Sequence, residues 1–336
     1  MKKVLILSDR RAGHFNQSLA VAEAIKSFGP VEEVYVEVKV KKLGKYLLRI
    51  LLNSRMGQKL FKSRPSLKMI QIFYEGYEWD GQPDIIISAG KDTSLLNAML
   101  ALMYGSTNFF IGHPKKLDHS LFSTVLTVLD LGFDNQIVLN VAPTRSYNGD
   151  LRVFATTYDL DPQYEYYTLL IGGDGSGYRF EEEDIEQLIT FVNATADKVK
   201  WLITTSRRTP EAYEAKMEKE MQAECFIAFN KNPQKVVAGF LELSTTVFVT
   251  EESASMVSEG VAFRKPVVTL SPEHHDADKN YQKILQKFST EKRIQRVEIS
   301  KLENFKTDLE DFRLLELDSC KEIAKKLKYH LLEETS

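Results

Sequence analysis

Residues 247–270, VFVTEESASMVSEGVAFRKPVVTL, are the stretch from which the fold of this chain is read. Val247, Phe248, Val249 and Thr250 form a short apolar, β-branched run, the pattern of a strand buried on both faces. Glu251, Glu252, Ser253, Ala254 and Ser255 follow, rich in residues that begin helices. Met256, Val257, Gly260, Val261 and Phe263 recur at helical spacing until Pro266, and Val267 to Leu270 is a second strand. Strand, helix, strand is a βαβ unit, and its right-handed crossover sets the helix N-terminus at the carboxyl edge of a parallel sheet. Free N–H groups and the positive dipole end make such a helix start an anion site. Glu259, one turn inside the helix, would hold ribose hydroxyls while the helix start holds a diphosphate. The alternative is that Ser253 or Ser255 merely caps a structural helix.

The same alternation of strand and helix extends in both directions. Residues 4–7 are a first strand that enters the loop 8–14, and a helix is expected over 16–28, ended by Gly29-Pro30. Residues 31–40 alternate in period two, as a strand does. Residues 83–90 form a buried strand with a small-residue turn, followed by a helix capped by Asp92 or Thr93. Short strands are expected at 109–111, 125–128 and 138–142. Periodicity is lost between Arg145 and Tyr166, and a second series then begins. It comprises a strand at 168–171 with the loop GGDGSG, a helix over 181–194, and a strand at 200–204 with the loop TTSRRTP. A helix over 211–222, a strand at 225–229 and a helix over 236–243 follow. The tail after Asn280 reads as helices, the last over 314–332. The expected fold class is α/β, two Rossmann-like domains with parallel sheets facing a cleft. The N-terminal domain covers 1–155 and the C-terminal domain 165–315, with a helix over 316–336 returning to the first.

Composition sets the outer limits. A chain of 336 residues suggests about two domains, and a net charge of −3 gives no overall attraction to nucleic acid. Cys225 and Cys320 lie far apart, without metal-ligand spacing, which fits a reducing compartment. The N-terminus MKKVLILSDRR is too short in apolar residues for a signal segment. No run of about eighteen apolar residues occurs, so a cytoplasmic protein is expected. Residues 39–64 stand out, because Lys and Arg alternate there with a leucine cluster and no acid interrupts them. That is a basic amphipathic segment, fit either for an anionic membrane surface or for packing with a solvated basic face.

Strand-end loops are where an open parallel sheet binds ligands. The loop GGDGSG fits neither the dinucleotide fingerprint nor a P-loop, yet Gly172 and Gly173 would let a ligand approach the backbone closely. Arg207 and Arg208 offer guanidinium forks suited to phosphate oxygens. His14 is a candidate general base, with Asp9 and Asp92 as alternatives at strand ends. His274, His275, Asp276 and Asp278 do not make a metal site, since adjacent histidines point apart and nothing completes the ligands.

Taken together, SDRRAGHFNQSLAVAEAI, PDIIISAG, LLIGGDGSGYRF, ITTSRRTP and VTEESASMVSEGVAFRKPVV resemble the ELM1-like family, named for a plant mitochondrial-fission protein. Its bacterial members are regarded as GT-B glycosyltransferases. The broader resemblance is to GT-B enzymes such as the lipid-linked N-acetylglucosaminyltransferase of peptidoglycan synthesis. It implies a metal-independent, cofactor-free transferase that moves a sugar from a nucleoside-diphosphate sugar to a cell-envelope or lipid-linked acceptor. The acceptor loop would then be Arg11, Gly13, His14, Asn16 and Gln17. The donor would lie on Gly172, Gly173, Asp174, Thr205, Ser206, Arg207, Arg208, Glu252, Ser253, Ser255, Met256 and Glu259. Arg11 stands where such enzymes carry lysine, and the first loop lacks their paired glycines. Rival expectations are a nucleotide-sugar epimerase on the same fold, and a non-catalytic adaptor on a membrane surface. A peripheral position on the inner face of the membrane, through residues 39–64, is compatible with either class.

Overall fold

The computed structural model describes residues 1–63, 66–306 and 311–333. Arg64 of the basic segment and residues 334–336 of the expected last helix lie outside them. The chain forms two compact units, Met1–Arg145 with Ser319–Ser336, and Ser146–Asp318.

In the first unit, β1 (Lys2–Ser8), α1 (Ala12–Lys26), β2 (Val31–Glu37) and β3 (Lys39–Val40) lead into three consecutive helices. These are α2 (Lys42–Leu52), α3 (Arg55–Ser63) and α4 (Leu67–Phe73). Then come β4 (Tyr74–Glu75), β5 (Ile85–Ala89), α5 (Lys91–Tyr104), β6 (Thr107–Ile111), β7 (Thr124–Thr127) and β8 (Gln136–Val138). Six strands form a parallel sheet in the order β2-β1-β5-β6-β7-β8, while β3 and β4 pair separately as an antiparallel two-stranded sheet.

Successive residues of a strand point to opposite faces, and both faces here are apolar. Leu5, Leu7 and Ile86 pack into a core with residues of α2 to α5, whereas Val4, Ile6, Ile85 and Ile87 pack with Val21 and Ile25 of α1. The final helix α12 (Ser319–Glu333) joins this second core through Ile323 and Leu327. Its Glu322 accepts from the Asn140 amide at 3.0 Å. The C-terminus thus returns to the first unit, as a helix that starts later than the sequence pattern indicates.

The second unit runs α6 (Leu151–Thr157), β9 (Tyr166–Leu170), α7 (Glu182–Thr195), β10 (Lys200–Thr204), α8 (Glu211–Glu220) and β11 (Cys225–Ile227). It continues α9 (Val237–Leu243), β12 (Ser244–Thr250), α10 (Ala254–Ala262), β13 (Val267–Ser271), α11 (Lys279–Thr290) and β14 (Ile294–Glu298). All pairs of its sheet are parallel, in the order β11-β10-β9-β12-β13-β14. Residues 146–155, expected with the first unit, belong here, where Ala155 and Phe154 of α6 pack with Phe240 of α9.

The α/β class with two parallel sheets is the expected one, with several local corrections. The helix after β1 begins at Ala12, not Asn16, so Gly13 and His14 occupy its first turn rather than a loop. Neither Asp92 nor Thr93 caps α5; the N-cap is Gly90, and the Thr93 hydroxyl donates back to the Ala89 carbonyl at 2.8 Å. The strand expected at 138–142 is Gln136–Val138. The tail expected to be helical contains β14, an edge strand whose Arg296 interrupts its apolar pattern. The basic segment is not one helix, since α2 ends at Leu52 and α3 restarts at Arg55.

A buried amide pair ties the first sheet to α5. Asn97 Nδ2 donates to Ser88 Oγ at 2.9 Å and to the Phe109 carbonyl at 3.0 Å, while its Oδ1 accepts from Asn108 Nδ2 at 2.7 Å. Asn97→Ala leaves those buried partners unpaired and is expected to cost about 1–3 kcal/mol, measured as a lower denaturation midpoint.

Candidate functional site

Each sheet has one place where strand order reverses, and there the loops from neighbouring strands diverge and leave room at the carboxyl edge. In the first unit that place lies between β1 and β5, in the second between β9 and β12. The charged and polar residues singled out from the sequence gather at these two edges.

At the first edge, His14 Nδ1 lies 2.8 Å from Asp9 Oδ2. Asp9 is nearly buried, and its Oδ1 also accepts the Arg11 amide at 3.2 Å. Burial opposes its ionisation, but the bond and charge of His14, then the amide and charge of Arg11, outweigh this and hold the carboxyl below its ordinary value. An ionised carboxylate only accepts, so Nδ1 carries the proton and Nε2 is left as the ring's acceptor. Gly90 closes the other side. Its φ is +90°, and a Cβ there would stand 2.2 Å from His14 Nδ1. Glycine is needed at position 90 for both reasons. Asp92, in the first turn of α5, is tied to Lys45 of α2 by a short ion pair, so its carboxylate is already engaged. Arg11 and Asn16 are exposed, and Gly13 and Gln17 are partly buried along the start of α1.

The second edge is built around Glu252, two residues after the end of β12. Its side chain is fully buried, with Oε1 accepting from Arg208 Nη2 at 2.9 Å and from the Gly173 amide at 3.2 Å. Oε2 is buried without a hydrogen-bond partner. Desolvation pushes this carboxyl up to about 7, against the opposing effects of Thr250, Arg208 and the Gly173 amide. The glycine loop is therefore explained differently from the sequence expectation. A Cβ at Gly172 would lie 1.4 Å from Glu252 Oε1, and one at Gly173 would lie 2.3 Å from the Arg208 carbonyl. The close approach that these glycines permit is that of the chain's own groups. Their amides are also engaged, Gly172 donating to Thr250 Oγ1 at 2.8 Å.

The remaining residues divide between scaffold and surface. Thr205 is buried and hydrogen-bonds Glu214 of α8, while its Oγ1 accepts the Phe229 amide at 2.8 Å. Ser206 Oγ accepts the Arg208 amide at 3.2 Å, and Asp174 Oδ1 accepts the Phe180 amide at 3.0 Å. Arg207 is exposed and makes no ion pair among the described residues. Ser253 is the N-cap of α10 but its side chain makes no capping bond; its Oγ lies 3.5 Å from that of Ser255. The purely capping role is thus not realised, and the first turn of α10 keeps its donors beside Arg208's partner Glu252. Ser255 and Met256 are partly exposed in that turn. Glu259 lies one turn further in, its carboxyl pushed up to about 7 by desolvation alone.

Sequence reasoning did not single out Arg296, reached Gly90 and Thr250 only as members of strand-end loops, and read Lys45 only as one of the basic residues of 39–64. Arg296 of β14 forks onto Glu251, Nε to Oε1 at 2.7 Å and Nη2 to Oε2 at 2.8 Å. Glu251 also accepts from Thr269 Oγ1 at 2.7 Å and Tyr178 hydroxyl at 3.1 Å, so the residue before Glu252 is fixed from β13, β14 and the loop that carries Tyr178. Gly90 carried a legible signal, a glycine between a strand and a helix. Lys45 and Arg296 carried none, because their partners lie far away in sequence. Among the described residues no group of three or more His, Cys, Asp and Glu is placed to hold a metal ion, and no helix is long and apolar enough to cross a membrane.

Residues 12–331 match the family described as mitochondrial fission ELM1. The chain belongs to the ELM1 family. No curated relative matches it. Among solved structures, this ELM1-family chain is similar to the S. aureus MnaA–UDP co-structure, with 11% identity, TM-score 0.53, 100% of this chain and 97% of that chain covered. It is similar to UDP-GlcNAc 2-epimerase from Methanocaldococcus jannaschii, with 11% identity, TM-score 0.52, and coverage of 98% and 100%. It is also similar to Arabidopsis thaliana UGT89C1 complexed with UDP, with 11% identity, TM-score 0.51, and coverage of 98% and 94%. At these identities the likeness is one of fold, the two-sheet α/β architecture of GT-B proteins.

Glu252 and Glu259 bind protons more tightly in the folded chain, near pH 7, than at the usual 4.5 of the unfolded chain. The folded state holds more protons between those values, so their contribution makes stability fall as pH rises through that window. Glu259→Gln is expected to remove part of this decline, seen as a smaller loss of melting temperature between about pH 4.5 and 7 than in the unaltered protein.

Proposed function

We propose that this chain is a glycosyltransferase that uses a nucleoside-diphosphate sugar bound at the β9/β12 edge. The observation that carries the reading is the meeting of the uncapped start of α10 with Arg208, at the strand-order reversal of the second sheet. Helix donors and a guanidinium supply the positive charge that a leaving diphosphate needs, so no metal or cofactor is required by this scheme. Ser253, Ser255 and Met256 line the diphosphate, Arg207 and Arg208 flank it, and Glu259 accepts from ribose hydroxyls. Glu252 acts by holding Arg208 in place.

In this scheme the acceptor is a hydroxyl-bearing carbohydrate or lipid-linked molecule. His14 Nε2 takes the hydroxyl proton, and the imidazolium so formed is stabilised by Asp9. The acceptor oxygen bonds to the anomeric carbon as the bond from that carbon to the diphosphate oxygen breaks, and the nucleoside diphosphate leaves with the electron pair. Asp92, neutralised by Lys45, is a weaker candidate for the base than the Asp9–His14 pair.

Titration calorimetry with UDP-, GDP-, ADP-, CMP- and TDP-sugars is expected to give binding to one nucleotide class, weakened about tenfold in Glu259→Ala through loss of one or two hydrogen bonds. No binding to any of them would overturn the donor assignment. His14→Ala is expected to lower turnover by about 10²–10⁴ while leaving nucleotide affinity unchanged. A rearranged donor sugar formed without acceptor would instead identify an epimerase.

A further inference from the structure

We infer that the outer face of α2, α3 and α4 is a docking surface for a bilayer rich in anionic phospholipid. The three helices form one layer. Leu48 and Leu52 of α2, Phe61 of α3 and Ile70 of α4 all enter the same core as α5. With their inner faces so committed, the opposite faces of these helices point outward, and they are not polar. Tyr46 is 68% exposed, Ile50 66%, Met56 82% and Ile72 62%, with Leu47 and Leu60 also exposed. On α2, Tyr46 and Ile50 are one turn apart and Leu47 lies between them; on α3, Met56 and Leu60 are likewise one turn apart. So many large apolar side chains left exposed on three neighbouring helices are unusual on a protein surface that meets only water.

Charge selects the occupant. No Asp or Glu occurs between Lys39 and Arg64. Lys42, Arg55, Lys59 and Lys62 are exposed among the apolar side chains, and the Arg49 guanidinium lies 5.9 Å from the Tyr46 ring centre. Apolar side chains that enter the acyl boundary, ringed by cations long enough to reach headgroup phosphates, are the arrangement of an interfacial helix layer. A protein partner with an apolar face would need its own acidic rim, whereas an anionic leaflet supplies both properties at once. Lys45 is the exception among the cations of α2. It turns inward to Asp92, so the helix that would lie on the bilayer is pinned to the β1/β5 edge. This inference does not depend on the transfer reaction proposed above.

The test is co-sedimentation of the full chain with vesicles of phosphatidylcholine alone and of phosphatidylcholine with phosphatidylglycerol. Binding is expected only when phosphatidylglycerol is present, and loss of binding at about 1 M salt, where the Debye length is about 3 Å. Ile50→Asp and Met56→Asp are each expected to lower the partition coefficient about tenfold. Both positions are exposed, so circular dichroism and nucleotide calorimetry should be unchanged and would report separately on fold and donor site. Lys59→Glu with Lys62→Glu, which leaves the apolar face intact, should weaken binding to the anionic vesicles. Absence of binding to either vesicle, or binding indifferent to these substitutions, would overturn the proposal. So would a stable dimer in sedimentation velocity that Ile50→Asp dissociates, since the face would then be covered by a second copy.

Discussion

A parallel strand covered by helices on both faces has no exposed side chains along its length, and this constraint directs the whole molecule. Leu5 and Leu7 enter one core of the first unit while Val4 and Ile6 enter the other. The polar side chains open to a ligand therefore lie where strands end, and the room for them is greatest where the strand order reverses. In both sheets that place is occupied by a buried carboxylate that fixes a basic side chain: Asp9 holds His14, and Glu252 holds Arg208.

The two carboxylates do this in different electrostatic settings. Asp9 has a ring nitrogen and an amide as partners, and these outweigh its burial, so it stays ionised and fixes the imidazole tautomer. Glu252 is more fully enclosed, uses one oxygen for both its partners and leaves the other unpaired, so burial wins and the carboxyl titrates near neutrality. An Asp9 ionised at neutral pH suits an orienting role.

Much of this architecture was legible. Periodicity located most strands and helices, because buried parallel strands are short apolar runs and their helices are amphipathic. The exceptions share a cause. β14 lies at a sheet edge, where only Ile294 and Val297 are buried and Arg296 serves a buried Glu251, so its composition is not that of a core strand. Ala12 to Phe15 begin a helix without a polar cap, since Arg11 makes no side-chain capping bond, and the usual start signal is absent. The glycine pair Gly172 and Gly173 was readable as a place of close approach, but not as one filled by Glu252, which is 79 residues from Gly173 in sequence.

By itself, the sequence determined the two series of strand and helix, the loops at their ends, and the residue types that gather there, because those follow from local period and turn chemistry. The tertiary structure alone decided which of those residues face one another. It paired Asp9 with His14 against Gly90, turned Lys45 inward to Asp92 while Tyr46 and Ile50 stayed outside, and placed Glu252 between Gly173 and Arg208. Each of those outcomes depends on the order in which parallel strands are laid side by side, and strand order is fixed by packing over long sequence separations that local pattern does not encode.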